Sequence, residues 1–312
     1  MSNKYPDFIV VGAAKTGTTS IHEYLNEHPS VFMSTPKETN YFFNRANGQR
    51  EYLHEGARDP ATHIATEERY LALFDRANSN QVTGESSPSY MFTQGVPELI
   101  QQARADTRIV MMLRNPAERA WSDFLHNQRD GTEPFDTDEF MKAFEAIPQR
   151  MAEGWHPHYD YELKGCYGTL LDRWENSFPS DQLGLFFYDD FKADAGAFMR
   201  SLYGFLGVDP DFQPKLSARY NVTGSPKNRW MQHLIGQPNM LKKSFRWMFP
   251  APVRRRIRFR LMQQNLNKAP ALSVSLRNEL AAHYLPEIEK LETICKRDLS
   301  AWKPESTIQS QS

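Results

Sequence analysis

Phe8-Ile-Val-Val-Gly-Ala-Ala-Lys-Thr-Gly-Thr-Thr-Ser20 decides how the rest of this 312-residue chain is read. Its apolar run reads as a buried strand that Gly12 ends. From Thr18 apolar residues return at helical spacing as Ile21, Tyr24 and Leu25. A strand, a small-residue loop and a helix in that order aim several unpaired backbone N–H groups at one point, where the helix dipole also favours negative charge. Lys15 adds a full positive charge, and Thr18 and Thr19 add hydroxyl donors. The stretch predicts a site for a phosphate-like anion.

What the loop lacks narrows the anion. Gly12 and Gly17 have the spacing of the nucleotide-binding P-loop, GxxxxGK[ST], but Thr18 stands where that motif needs lysine. A second apolar strand, Arg108-Ile-Val-Met-Met-Leu-Arg114, ends in arginine rather than in an aspartate for Mg²⁺. Both features argue against a Mg-dependent ATPase or kinase. Pro116 suits the first turn of the next helix, so Arg114 falls at a strand's carboxyl end, where open α/β sheets bind ligands. Ser122 follows about two turns into that helix. Together the two segments imply a ligand with two separated anionic groups.

These segments resemble the cofactor-binding elements of the sulfotransferases that use 3′-phosphoadenosine 5′-phosphosulfate (PAPS). The resemblance assigns Lys15, Thr16, Gly17, Thr18 and Thr19 to the 5′-phosphosulfate, and Arg114 and Ser122 to the 3′-phosphate. It extends through Lys37-Glu-Thr-Asn-Tyr-Phe-Phe43, Glu85-Ser-Ser-Pro-Ser-Tyr90, Gly165-Cys-Tyr167 and the residues from Asn221 to Arg229, about three-quarters of the chain. The pattern is similar to the glycosaminoglycan-modifying and bacterial members. It implies PAPS as co-substrate, 3′,5′-adenosine bisphosphate as product, no metal, and a hydroxyl acceptor that is a carbohydrate or glycolipid.

The resemblance also assigns roles. Glu38, before the aromatic pair Phe42 and Phe43, is the first choice for the base that takes the acceptor's proton. Glu85 is the reserve, although Ser86 replaces the lysine the family carries there. His126, one turn after Ser122, is a third candidate whose ordinary reading is a half-buried structural histidine. Lys15 neutralises charge on the bridging oxygen as the S–O bond breaks. Lys227 and Arg229 fall in a loop that covers the cofactor, and Tyr167 reads as packing beside it. Two other readings stay open: a nucleotide kinase-like phosphotransferase, and a catalytically silent nucleotide-binding or membrane-surface module.

Composition sets the frame. Hydrophobic content of 40% supplies a substantial core, and a formal net charge of −1 excludes a generally basic, nucleic-acid-coating protein. Two cysteines, Cys166 and Cys295, fit neither a disulfide framework nor a zinc site. No apolar stretch is long enough to span a membrane and no signal peptide is evident, so a cytoplasmic protein is expected. The oligomeric state is not legible.

The expected fold is α/β: one domain over 1–305 with a central parallel sheet flanked by helices, a P-loop-like core, a helical extension over about 229–305, and a disordered tail over 306–312. Strands are expected at 31–34, 82–85, 109–113 and, buried, 183–188. Helices are expected at 70–74, 98–105, 117–128, 164–176, 198–206 and, as a last regular element, 276–295. Residues 44–66 and 129–163 read as long loops over the site. Arg254-Arg-Arg-Ile-Arg-Phe-Arg260 interleaves basic and apolar residues; it reads as a packed helix with solvated arginines, or as a peripheral contact with an anionic membrane or acidic polymer.

Overall fold

The computed structural model describes residues 5–48, 52, 64–215, 224–226 and 266–305, with 224–226 and 266–268 described as backbone. The expectations for Lys227, Arg229, Arg254–Arg260 and the tail concern positions outside these residues.

Five parallel strands form the central sheet: β1 (Phe8–Gly12), β2 (Val31–Met33), β3 (Val82–Ser86), β4 (Arg108–Leu113) and β5 (Leu183–Phe187), in the order β2-β3-β1-β4-β5. Both faces of the central strands are covered, which explains why they read as unbroken apolar runs rather than alternating ones. Phe8, Val10, Val110 and Met112 point to one side, among residues of α1 (Thr18–Glu27) and of α10 (Ala195–Leu206). Ile9, Val11, Ile109, Met111 and Leu113 point to the other, into a larger core. That core includes residues of α2 (Tyr41–Ala46), α3 (Glu67–Leu71), α4 (Val96–Ala103), α5 (Pro116–Asp130) and α8 (Tyr167–Glu175).

The chain leaves β1 toward β2 on one side and leaves β4 toward β5 on the other. The order therefore reverses between β1 and β4, the place where ligands bind in open α/β sheets. The loop after β1 and the loop after β4 open there side by side.

Several sequence expectations need correction. Residues 129–163 are not a long loop: they hold α6 (Phe140–Glu145) and α7 (Ile147–Ala152) with short 3₁₀ turns on either side. Their order comes from buried polar pairing, which leaves no amphipathic period to read. Arg150 donates to both oxygens of Glu133 at 3.0 and 2.7 Å, and Tyr161 donates to Glu133 at 2.6 Å. Residues 44–46, expected at the start of the 44–66 loop, instead complete α2. β5 is an edge strand and only partly buried, and α9 (Tyr188–Ala193) follows it directly.

The regular element expected over 276–295 divides at Tyr284 into α11 (Val274–His283) and α12 (Leu285–Cys295), with Pro286 in the first turn of the second. Leu280, Tyr284, Ile288, Leu291 and Trp302 all enter the main core. A short antiparallel pair, β6 (Gly224–Pro226) with β7 (Leu266–Lys268), packs against α5.

Candidate active site

The loop after β1 is built to approach an anion closely. Gly12 has no room for a side chain, since a Cβ would lie 2.7 Å from Cβ of Met91. Thr16 is fully buried and donates its hydroxyl to the Ala13 carbonyl at 2.7 Å, so it braces the loop from inside. Gly17 caps α1 in the left-handed region, φ 90°, and offers no side chain to the first turn. The N–H groups of that turn have no side-chain cap.

Lys15 itself has φ 68°, a conformation that is strained for a residue with a side chain and concentrates at functional sites. Burial pulls its ammonium down to about 8, against the carboxylates of Asp123, Asp130 and Glu38 that favour the charge. An arriving anion would reverse that depression.

Arg114 lies at the end of β4, and its Nη1 donates to the Lys15 carbonyl at 3.3 Å. The two cationic segments read from sequence therefore meet. The Arg114 guanidinium sits 4.9 Å from the centroid of the Tyr188 ring and donates from Nε and Nη2 to Glu118. Ser122 is nearly buried on the same helix. Tyr167 is 2% exposed, and its hydroxyl lies against the Arg114 backbone. Burial pushes that phenol up to about 12, while the charge of Arg119, a backbone hydrogen bond at Arg114 and the Arg114 charge oppose the rise.

The three candidate bases stand differently. Glu38 has φ 63°, its N–H donates to the Ser86 carbonyl at 3.0 Å, and Lys37 Nζ lies 2.5 Å from its Oε1. Half of its side-chain surface is open to solvent. Burial raises its pKa, but the charge and hydrogen bond of Lys37 outweigh that, with Lys15 and His22 helping, and hold it below the ordinary value. It is an ionised carboxylate at the mouth of the cleft.

Glu85 is fully enclosed. It accepts from Thr39 at 2.6 Å, Tyr70 at 2.7 Å and Ser87 at 3.0 Å. Burial raises its pKa against those hydrogen bonds. Through Thr39 it anchors the residue next to Glu38.

His126 is one-third exposed at its side chain; Nε2 lies 3.6 Å from Asp130, and Nδ1 is buried without a partner among the described residues. Burial, and then the charges of Lys15, Arg129, His158 and Lys164, hold it well below the usual histidine range, so it is neutral. It borders the same cleft as Lys15.

Sequence reading missed the groups that hold these residues. Asp123, buried beside Ser122, pairs with Arg119 at 3.1 Å and with Lys164. Burial raises its pKa, yet Lys164 and Arg119 bring it below the ordinary value. The i,i+4 spacings Arg119–Asp123 and Arg114–Glu118 were readable signals. Tyr188, Lys164 and Arg277 reach the site from distant sequence and left none.

A sequence profile described as Sulfotransferase family matches residues 6–214. The chain belongs to the sulfotransferase family. A sulfotransferase structure from Alicyclobacillus acidocaldarius superposes with a TM-score of 0.71 at 26% identity, covering 96% of this chain and 98% of that one. The human bifunctional heparan sulfate N-deacetylase/N-sulfotransferase 2 is 29% identical over 241 residues, which are 75% of this chain and 25% of that protein. The mouse heparan sulfate glucosamine 3-O-sulfotransferase 3B1 is 26% identical over 209 residues, 66% of this chain and 47% of that protein. This sulfotransferase chain thus spans between a quarter and a half of the length of those curated relatives. Among its described residues, no helix is long and apolar enough to cross a membrane.

Proposed function

We propose that this sulfotransferase takes its sulfonate from PAPS and delivers it to a hydroxyl of a carbohydrate-containing acceptor by in-line displacement. The observation that carries the reading is the junction of two cationic segments at the β1–β4 switch point, where Arg114 Nη1 donates to the Lys15 carbonyl. One segment would hold the 5′-phosphosulfate on the uncapped end of α1, with Lys15. The other would hold the 3′-phosphate through Arg114 and Ser122. Tyr167 keeps its place beside the cofactor in the proposal through sequence resemblance, buried against Arg114. Lys227 and Arg229 remain part of the proposal through sequence resemblance, following β6, which packs on α5.

In the transfer, Glu38 accepts the acceptor's hydroxyl proton as its oxygen bonds to sulfur. The bond from sulfur to the bridging oxygen breaks, and adenosine bisphosphate leaves with the electron pair. Protonated Lys15 stabilises the charge that grows on that oxygen. Glu85 supports the Glu38 loop from within, and His126 stays the next residue to test. The carbohydrate acceptor rests on the relatives being heparan sulfate sulfotransferases.

Calorimetric titration with 3′,5′-adenosine bisphosphate, AMP and ADP, with and without Mg²⁺, tests the co-substrate. The bisphosphate should bind about tenfold to a hundredfold tighter than AMP, the worth of a charge-assisted hydrogen bond to the extra phosphate, and Mg²⁺ should make no difference. Equal affinity for AMP and the bisphosphate would sink the assignment.

A further inference from the structure

Arg114 does not face the cleft as a lone cation. Its Nε and Nη2 donate to Glu118 Oε2 at 3.2 and 3.0 Å. The other oxygen of that carboxylate, Oε1, accepts from Nη2 of Arg277 on α11. Arg114 and Glu118 are each 21% exposed at their side chains and Arg277 40%, so the triad lies at the wall of the cleft rather than in the core. We propose that Arg277 is a positioning residue that sets the preference for a 3′-phosphorylated nucleotide, by holding Glu118 when Arg114 turns to the phosphate. This inference rests on the PAPS reading above.

The charge balance motivates it. Arg114 with Glu118 alone is a neutral pair, and an incoming phosphate dianion would meet a carboxylate as well as a guanidinium. Arg277 makes the triad cationic. A guanidinium offers five N–H donors in a fixed fork, and Arg114 already directs its Nε and Nη2 at Glu118 and Nη1 at the Lys15 carbonyl. Two of the five N–H groups remain, one on Nη1 and one on Nη2, so a phosphate that takes both shares Nη2 with Glu118 and draws the guanidinium away from it. With Arg277 on Oε1, the displaced carboxylate keeps a partner; without it, Arg114 is the cation Glu118 would have to give up. A role confined to docking α11 explains less, because that helix is already seated by Leu280 and Ala281 in the core, and the segment leading into it by the bond from Trp121 Nε1 to the Pro270 carbonyl at 3.0 Å.

The test is calorimetry on the full chain carrying Arg277→Gln, Arg277→Lys, Glu118→Gln or Glu118→Gln with Arg277→Gln. The probes are 3′,5′-adenosine bisphosphate and AMP, without Mg²⁺ and at fixed ionic strength. Arg277→Gln should weaken the bisphosphate about threefold to tenfold and leave AMP unchanged. Arg277→Lys should restore much of the preference, and the double variant should return to the wild-type ratio, because the carboxylate to be held is gone. Equal weakening of both nucleotides, an unchanged ratio, or a double variant that keeps the defect would overturn the proposal. If wild-type protein itself shows no preference for the bisphosphate, the PAPS reading falls first and this inference with it.

Discussion

The helix after the first strand and the helix after the fourth begin in opposite ways. α1 starts at Gly17, which has no side chain to satisfy the first turn. α5 starts at Asn115, whose Oδ1 accepts from the N–H groups of Ala117 and Glu118 at 3.0 and 3.3 Å. The first N-terminus is open to a ligand; the second is already closed by its own cap. On the proposed reading, the anion at α1 would be met by backbone and dipole, already in place. The anion at β4 would be met by side chains that already have partners, since Arg114 is bonded to Glu118 beforehand. That reading puts chemistry at the preorganised end, where fixed donors stabilise developing charge without rearrangement, and selectivity at the exchanging end.

The sharpest way to break that division is to remove the carboxylate proposed as the base, Glu38, beside the open helix. Glu38→Gln keeps size and cannot take a proton, so turnover should fall by about 10²–10⁴-fold with bisphosphate affinity nearly unchanged. Glu85→Gln provides the contrast. It would turn an amide donor toward hydroxyls that now donate, from Thr39, Tyr70 and Ser87. The expected result is a loss of about 1–3 kcal/mol in stability and a smaller loss of turnover. Near-native turnover in Glu38→Gln beside a dead, well-folded Glu85→Gln would move the base to Glu85. Two active variants would move it to His126.

A smaller effect separates the two ends by pH. Burial lowers the Lys15 ammonium to about 8, so the free protein loses that charge as pH rises through 8. Binding a dianion requires the charged form, hence proton uptake above that pH. Bisphosphate affinity should be flat from pH 7 to 8 and then fall by up to about tenfold per pH unit, a limb that Arg114, always charged, cannot produce. Lys15→Arg should abolish the limb, and Lys15→Ala should weaken binding at all pH values. An unchanged limb in Lys15→Arg would place the titrating group elsewhere.

The open end was legible in the sequence because its signals are local. An apolar run, a glycine and a returning helical period lie within the eighteen residues from Phe8 to Leu25, and Lys15 sits among small neighbours. The Arg-Asn-Pro turn after β4 was legible for the same reason. The partner-exchanging end was only half legible. Glu118 follows Arg114 at helical spacing, but Tyr188 and Arg277 arrive from other elements. The enclosure of Glu85 was not legible, because β3 is buried continuously over its last three residues and no alternation marked the side chain as inward. The 129–163 segment read as loop because buried ion pairs such as Arg150–Glu133 order it without any hydrophobic period. Tertiary polar pairing leaves no repeat in sequence, and that is where the reading stopped.

The smallest expected effect tests whether the second helix end is truly closed to ligand. Asn115→Ala removes the Oδ1 that Ala117 and Glu118 donate to, and loss of such a cap costs about 1 kcal/mol of stability. Melting temperature should therefore drop by a few degrees. Bisphosphate affinity should change less than about threefold, because the ligand's anions are held by Arg114 and by the α1 terminus rather than by the first turn of α5. The freed N–H groups give the prediction its edge. Were a phosphate to lie against that turn, removing the cap would expose two more donors, and affinity would rise while stability fell. Tighter binding in Asn115→Ala would make the two helix ends alike as anion sites, and the division between a chemical end and a selective end would have to be redrawn.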